Sequence, residues 1–377
     1  MQVVYHNPAF LATDKNAKYQ QNREKSFVAF RHFDEKCRID AGVDSKKLAE
    51  SSSWALAAGA LPKLSAGEFA SLKAALCEAC PKDGSCAIML SKCGRMSRRK
   101  GCFMESLFCC PVCGGALTRR KGRYLCAAGH SFDIAREGYV NLLPANQQHS
   151  KAPGDDREMA AARTRFLEGG WYGPLREKLC RLIEELASDR PALLDAGCGE
   201  GWYTQAMAET ACAKGGRTAG VDLSKPAVKK AARRCAAGEF AVGTLYHLPA
   251  ADEAVDLLVN CFSPLAAEEF ARVVKPEGKF LYVVPGPRHL WELKEAVYER
   301  PYENEERREE YPGFRYLDVV PVECRFTLPD TRTIQDLFRM TPYYWKSPKA
   351  GAARLAELER LTVTGQFRIH VMERTGK

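Results

Sequence analysis

Residues 193–202 read Leu-Leu-Asp-Ala-Gly-Cys-Gly-Glu-Gly-Trp, an apolar run followed by an aspartate and three alternating glycines. Glycines at Gly197, Gly199 and Gly201 let the backbone turn sharply and let a ligand approach the main chain closely. The helix expected after such a turn would present its N-terminal amides to a carboxylate or phosphate. The stretch therefore predicts a strand, a ligand-binding turn and a helix, as found in doubly wound α/β sheets.

The spacing of residues around this turn indicates which class of ligand it can bind. A dinucleotide-binding GxGxxG sequence would need glycine at position 202, where this chain has Trp202, so an NAD site is disfavoured. The next predicted strand ends at Asp222, 21 residues after Gly201, where a carboxylate can accept both hydroxyls of a ribose. Asp195 can orient the amino group of the ligand or a bracing water. This arrangement is similar to that of S-adenosylmethionine-dependent methyltransferases.

From about residue 150 onwards, short apolar or β-branched runs alternate with helical patterns, which is typical of βαβ units. The predicted fold is an α/β, doubly wound, mostly parallel seven-stranded sheet preceded by a small zinc-ribbon module. The seven strands are predicted near Ala192–Asp195, Thr218–Asp222, Phe240–Val242, Val255–Val259, Lys279–Val284, Tyr316–Thr327 and Phe367–Thr375.

The zinc module is predicted from two ligand pairs. Cys110 and Cys113 form a CxxC sequence, and thirteen residues later Cys126 and His130 form a CxxxH sequence. Three thiolates and one imidazole can close a tetrahedral zinc site, and four protein ligands leave no position for substrate, so the metal is expected to be structural. Cys109 could in principle replace Cys110, but the spacing favours Cys110.

Taken together, these motifs indicate a family. The chain from Met104 to Lys377 resembles the 23S ribosomal RNA guanine-N1 methyltransferases, a family that includes large-subunit methyltransferase A and the tylosin-resistance enzymes. The most specific strings are EGYVNLLP, at 137–144, and GPRHLxELK, at 286–294. The other segments that carry the resemblance are 108–113, 126–133, 153–155, 159–172, 195–204, 271–278 and 340–345.

The resemblance implies transfer of a methyl group from S-adenosylmethionine to N1 of a guanine in a hairpin of 23S RNA domain II. It also implies zinc on the four ligands above and cofactor contacts from Tyr172, Gly199, Glu200 and His289. Without it, Tyr172 would be interpreted as a core aromatic residue and His289 as a loop histidine. The complete predicted cofactor site is Tyr172, Asp195, Gly197, Gly199, Glu200, Gly201, Asp222 and His289.

The acceptor side is less well defined by the sequence. Residues 260–264 follow the fourth strand, where this class of enzyme lines its acceptor pocket, and they vary within the family. The identity of the target guanine is therefore left open. Asn260, Tyr246 and His247 are candidates for a pocket role, but no general base is assigned. Two positions depart from the family pattern, Cys109 and Glu277, of which the second replaces a glycine.

Composition and charge are consistent with these expectations. The chain has 377 residues, 16 cysteines and a formal charge of +9. Its basic excess lies ahead of residue 141, with +7 over 1–103, +2 over 104–140 and zero over the remainder. Such an asymmetry is compatible with a polyanionic partner. Without a long apolar run or an export signal, a cytoplasmic protein with reduced cysteines is expected.

Three domains are predicted: an extension of unknown role at 1–103, the zinc module at 104–144 and the methyltransferase domain at 150–377. The extension carries helical patterns at Lys46–Ala58 and Ala66–Ala79. It is either specific to a lineage or the result of a start site placed upstream of Met104. A further metal site is conceivable from its irregularly spaced cysteines, Cys77, Cys80, Cys86 and Cys93.

Three functions remain in competition at this level. The first is methylation of 23S rRNA by a possible homodimer, with the zinc module gripping the RNA through Arg119, Arg120, Lys121 and Arg123. The second is methylation of a small molecule, with zinc only stabilising the fold. The third is RNA binding by a protein that has lost its activity, although Asp195 and Asp222 argue against such decay.

Overall fold

The computed structural model describes residues 105–144, 156–306 and 309–376, all of which belong to one compact unit, Arg99–Lys377. The two helices and the four-cysteine cluster predicted before residue 104 lie outside the described residues, as does the segment 153–155. Within the described ranges, every helix is too short or too polar to cross a membrane.

The zinc module forms a small antiparallel sheet, in which each strand pairs with the next one along the chain. Arg120 and Arg123 pair directly across the hairpin that joins its second and third strands. The strands are β1 Glu105–Cys109, β2 Ala116–Arg120, β3 Arg123–Leu125 and β4 Ser131–Asp133.

The main sheet has eight strands in the order β11-β12-β10-β9-β6-β7-β8-β5. Every ladder is parallel except those of β12, which runs antiparallel to both of its neighbours. The strands are β5 Tyr139–Asn141, β6 Ala192–Ala196, β7 Arg217–Asp222, β8 Gly238–Val242, β9 Val255–Cys261, β10 Val274–Pro285, β11 Phe314–Leu328 and β12 Leu361–Arg374.

The predicted fold class is confirmed, and all seven predicted strands are present. The sheet gains an eighth strand, β5, which pairs in parallel with β8 at one edge through Val140 and Ala241. This strand was not predicted, because three residues are too few to show a strand periodicity. Since β5 precedes residue 144, the main sheet already includes part of the predicted zinc module, and the three-domain division stays a prediction.

Helices fill most of the connections between the strands. Asp156 caps the first helix by accepting hydrogen bonds from the backbone of Glu158 and Met159. The helices are α1 Arg157–Glu168, α2 Gly173–Leu186, α3 Trp202–Ala213, α4 Lys225–Arg234, α5 Ala267–Val273, α6 Trp291–Val297, α7 Thr331–Arg339, α8 Tyr343–Lys346 and α9 Lys349–Ala356.

The zinc module packs with helix α5 in one core on one face of the sheet. Along β6, Leu193 packs in the core formed with α2 and α3, whereas Leu194 packs in the core that contains α5 and the zinc module. Leu117 and Tyr124 of the module are fully buried in this second core. The module is therefore anchored by apolar packing, because its side chains and those of the sheet exclude water from one shared core.

Candidate active site and zinc centre

The four predicted zinc ligands form one cluster. Their ligand atoms all lie within 4.8 Å of one another. The Sγ atoms of Cys113 and Cys126 are 3.7 Å apart, and Nδ1 of His130 lies 3.4 Å from Sγ of Cys126 and 3.6 Å from Sγ of Cys110. Tetrahedral zinc with ordinary bond lengths needs S–S edges of about 3.8 Å and S–N edges of about 3.5 Å. The donor set and its dimensions fit zinc.

Each ligand pair is presented by a tight turn. Gly114 adopts a φ of +71° and donates to the carbonyl of Cys110, and Gly129 adopts a φ of +85° and donates to the carbonyl of Cys126. Both turns need a left-handed residue, which glycine supplies without strain. Cys109 is not part of the cluster, since it belongs to β1 and its backbone N–H donates to the carbonyl of Pro249.

The second site is a cavity of about 840 Å³ at the carboxyl ends of the central strands. Ligands bind at this edge of open α/β sheets, because the strand order reverses there and leaves a crevice. The cavity is lined by seven of the eight predicted cofactor residues: Tyr172, Asp195, Gly197, Gly199, Glu200, Asp222 and His289.

The glycines of the turn after β6 are required by space. A Cβ on Gly197 would lie 2.0 Å from Oγ of Ser263, and its φ is +89°. A Cβ on Gly201 would lie 2.9 Å from Cα of Ala231, because α4 crosses the turn there. Gly201 is the one predicted cofactor residue that does not line the cavity. It packs instead against Ala231 of α4.

Asp195 brings a buried carboxylate to the cavity. One of its oxygens accepts a 2.5 Å hydrogen bond from the hydroxyl of Thr204, and the other, Oδ1, has no hydrogen-bond partner among the described residues. Burial raises the pKa of Asp195 to about 7. A buried acceptor without a donor carries a cost that a ligand's amino group would relieve.

Asp222 closes the other side of the turn. Its carboxylate accepts hydrogen bonds from the backbone of Gly199, at 2.9 Å, and of Ser224, at 2.8 Å. These bonds fix the carboxylate at the end of β7, beside the glycine turn. Each carboxylate oxygen has a second lone pair, so Asp222 can still accept from the hydroxyls of a ribose.

Glu200 lines the cavity but has protein partners. Its carboxylate pairs with Arg234 at 3.3 Å and with Lys230 at 3.7 Å, and it also accepts from the hydroxyl of Thr164. These partners belong to α4 and α1. Glu200 therefore fastens the turn to two helices while its other atoms face the cavity.

Tyr172 and His289 meet in the cavity wall. Tyr172 lies at the start of α2, and its ring packs edge-on against Phe166 and Phe367, with centroids 5.0 and 4.8 Å away. The hydroxyl of Tyr172 is 3.4 Å from Nε2 of His289. Burial lowers the pKa of His289 to about 3, so the imidazole is neutral.

The three residues predicted for the acceptor pocket, Asn260, Tyr246 and His247, lie in different environments. Asn260 is fully buried, and its amide donates to the carbonyls of Ala196 and Pro264, which braces the loop after β9. Tyr246 and His247 are exposed and do not line the cavity. Phe262, two residues after Asn260, lines the cavity, is 45% exposed as a residue and has a φ of +57°.

Sequence reasoning missed a lysine that shapes the cavity. Lys294 is fully buried, and its Nζ donates to the carbonyl of Tyr302 and to Oδ1 of Asn304, both at 2.8 Å. Tyr302 and Asn304 line the cavity. Burial lowers the pKa of Lys294. The signal was available, since Lys294 ends the string GPRHLxELK, but nothing in the sequence placed residues 302–304 beside it.

Known proteins match both parts of this architecture. The family model described as "RlmA, N-terminal" matches residues 108–151, and the model described as "Methyltransferase domain" matches residues 194–282. YxjB of Bacillus subtilis, which carries the name of a 23S rRNA (guanine-N1)-methyltransferase, is 32% identical over 270 residues that cover 69% of this chain and 94% of the relative. The chain belongs to the 23S rRNA (guanine-N1)-methyltransferase family.

Two further relatives place the chain within this family. The 23S rRNA (guanine(748)-N1)-methyltransferase of Streptomyces fradiae is 34% identical, with 66% of this chain and 90% of the relative covered. A relative in Micromonospora griseorubida, also named as a 23S rRNA (guanine-N1)-methyltransferase, is 39% identical over 50% of this chain and 68% of its own length. Membership confirms the predicted enzyme class and the two predicted cofactors, S-adenosylmethionine and zinc.

Proposed function

We propose that this chain transfers the methyl group of S-adenosylmethionine to N1 of a guanine in a hairpin of 23S rRNA domain II. The observation that carries the proposal is the match to a relative of this name over 94% of that relative's length. The cavity adds support, because its unpaired Asp195 carboxylate oxygen, glycine turn and Asp222 suit an amino acid joined to a nucleoside.

In this proposal, different residues of the cavity bind different parts of S-adenosylmethionine. Asp195 would accept from the amino group, and Asp222 would accept from the ribose hydroxyls. The glycine turn leaves room for the ligand against the main chain. Tyr172, Glu200 and His289 line the same cavity and complete the proposed cofactor site. When bound, S-adenosylmethionine supplies a methyl group on a positively charged sulfur.

The acceptor guanine must leave its base pair before it can react. Its N1 lies on the Watson–Crick edge and carries a proton, so the base has to be unpaired or flipped outwards. In the proposed transfer, the N1–carbon bond would form as the sulfur–methyl bond breaks. S-adenosylhomocysteine would be the leaving group, and the N1 proton would pass to water. The exposed ring of Phe262, in the wall of the cavity, offers a surface on which a flipped base can stack.

The zinc module contributes to RNA binding in this proposal. Arg119, Arg120, Lys121 and Arg123 are all exposed on the β2–β3 hairpin. Basic side chains on a rigid hairpin bind RNA through phosphates and shape rather than through base sequence. We place the reaction in the cytoplasm, and we expect a homodimer, which light scattering on the purified protein tests.

Primer extension across domain II of 23S rRNA tests the proposal. RNA would be compared from cells with the gene, without it and with an Asp195→Asn copy. Methylation at N1 blocks pairing and stops reverse transcriptase, so a stop that depends on the intact gene identifies the guanine. If the stop is missing while the purified protein binds S-adenosylhomocysteine, rRNA is not the acceptor. The proposal would then be replaced by methylation of a small molecule.

A further inference from the structure

Helix α4 differs from the other helices of the described residues in its charge. Its ten residues contain five cations, Lys225, Lys229, Lys230, Arg233 and Arg234, and no acidic residue. The sequence after residue 140 has no net charge, so this excess is local. A patch of one sign raises the local concentration of an oppositely charged partner.

The exposed cations of α4 continue those of the zinc module. Arg136 and Arg233 have side chains that are 90% and 55% exposed, and that of Lys229 is 43% exposed. Lys225 is also exposed. We call the following residues the basic track: Arg120, Lys121, Arg123, Arg136, Lys225, Lys229 and Arg233.

Direct contacts make the basic track continuous. The carbonyl of Gly122, at the tip of the β2–β3 hairpin, accepts a 2.8 Å hydrogen bond from Ile134, two residues before Arg136. Glu137 then joins this segment to α4, because its carboxylate lies 3.2 Å from Nζ of Lys229 and 3.0 Å from Arg233. The hairpin, the loop and the helix therefore present one surface.

The exposed cations around α4 share one carboxylate, that of Glu137. The side chain of Glu137 is only 11% exposed and is shared by Arg136, Lys229 and Arg233. One mostly buried carboxylate orients three cations and leaves their outer surfaces facing solvent.

The track ends beside the active-site cavity. Lys230 and Arg234 lie on the neighbouring stripe of α4 and pair with Glu200, which lines the cavity. The residues 225, 229 and 233 are spaced four apart and so form a row along the helix. A polyanion bound along the track would therefore extend from the zinc hairpin to helix α4. The neighbouring stripe of that helix contacts Glu200 in the cavity wall.

We propose that the basic track binds phosphates of the substrate RNA between the zinc hairpin and the cavity, so that α4 is a second RNA-binding element of the enzyme. This inference rests on the proposed function, which supplies the class of polyanion. RNA suits the track because phosphates recur along a strand, as the cations do along the surface, and each Lys or Arg that neutralises one releases counterions.

The test compares two pairs of substitutions that remove the same charge. Lys225→Gln with Lys229→Gln removes two cations of the track and leaves Arg233 on Glu137. Arg181→Gln with Arg360→Gln is the matched control, because both arginines are exposed and Arg181 lies on α2, which α3 separates from α4. The probe is a transcript of the domain II hairpin, titrated at several salt concentrations. Binding of S-adenosylhomocysteine shows that each variant is folded.

The track variant should lose on the order of tenfold in RNA affinity, and its plot of log affinity against log salt should be shallower by about 1.5, as expected for two phosphate contacts. The control should bind RNA as the wild type does. Unchanged RNA binding by the track variant, or an equal loss in both variants, would overturn the inference. The single variants Lys225→Gln and Lys229→Gln decide the matter if the pair fails to fold.

The outcome is separable from the proposed function. If the wild type binds the hairpin but transfers no methyl group to it, the proposed function fails while the two variants still report on the track. An acidic peptide serves as a second probe. If the track variant loses the peptide and retains the RNA, the surface binds an acidic protein, and the inference is wrong.

Discussion

The hydroxyl of Tyr172 lies 3.4 Å from Nε2 of His289, although 117 residues separate them in the chain. On the other side of the ring, Nδ1 lies 2.9 Å from the carbonyl oxygen of Gln366 and 3.2 Å from its backbone nitrogen. The start of α2 and strand β12 thus meet at one neutral histidine in the loop after β10.

The first prediction concerns the protonation of His289. Its pKa of about 3 lies below the unfolded value of 6.5, so the folded state binds fewer protons between these values and loses stability as the pH falls below 6.5. Between pH 7.5 and 5, this histidine should account for about 2 kcal/mol of lost stability. Urea unfolding of wild type and His289→Gln at both pH values measures it. A histidine signal in NMR that belongs to His289 and titrates near pH 6.5 contradicts the assignment.

The second prediction concerns the pH dependence of cofactor binding. The pKa of Asp195 is raised from 3.8 to about 7, so the ligand-free protein is most stable with this group protonated, and that stability is lost as the pH rises from about 4 to about 7. A cationic amino group favours the charged carboxylate. Affinity for S-adenosylhomocysteine should therefore rise on the order of tenfold between pH 5.5 and 7.

Isothermal titration in buffers of different ionisation enthalpy measures this dependence and the accompanying release of a proton. Asp195→Asn should bind more weakly and should show no such rise. Thr204→Val removes the hydroxyl that donates to the carboxylate, so it should shift the rise to higher pH. A wild-type affinity that is flat over this range would mean that Asp195 does not hold the amino group.

The order of the elements was predictable because the buried strands carry strong local signals. Leu193 and Leu194 are both fully buried, on opposite faces, so β6 is apolar without interruption and is recognisable in the sequence. β5 has three residues and became a strand only because the edge of β8 was available to pair with it. Local pattern cannot show an element whose stability comes from its partner.

The residues of the candidate site also differ in whether local sequence or tertiary contacts determine their positions. The glycine turn and Asp222 were readable because one strand–turn–helix unit and the strand after it supply them. Lys294 and Asn304 are joined by one hydrogen bond that depends on how helix α6 meets the segment after it, and only the fold brings them together. Phe262 was placed in the acceptor loop by its position, but its positive φ and exposed ring depend on tertiary packing.

The third prediction concerns Gly197. Alanine there adds a Cβ 2.0 Å from Oγ of Ser263 at a φ of +89°, so we expect a loss of about 2–5 kcal/mol in the free energy of unfolding and a loss of cofactor binding. Gly199→Ala is the control for backbone strain alone, because its φ is +51° and no atom lies within 4 Å of the added Cβ. It should cost about 1 kcal/mol. Equal losses in the two variants would show that the contact with Ser263 is unimportant.

The fourth prediction concerns the ring of Phe262. Phe262→Leu should reduce kcat/KM for the RNA by about 10- to 100-fold, because stacking of a base on an aromatic ring contributes about 1–3 kcal/mol. The affinity for S-adenosylhomocysteine should change little. Tyr246→Leu is the matched control, since Tyr246 is 68% exposed and lies outside the cavity wall. A Phe262→Leu variant that loses cofactor affinity as strongly as RNA turnover would assign the ring to the cofactor instead.

The last prediction separates the zinc centre from the cofactor site. Cys113→Ala removes one of four clustered ligands and should lose the metal, measured by atomic absorption on the purified protein. RNA methylation should be lost with it, because the β2–β3 hairpin no longer holds its shape. Binding of S-adenosylhomocysteine should survive in part, since the cavity is built from residues after 156. Cys109→Ala is the control, and it should retain zinc because Cys109 lies on β1 outside the cluster. Full methylation by a zinc-free Cys113→Ala protein would show that the module has no part in RNA binding.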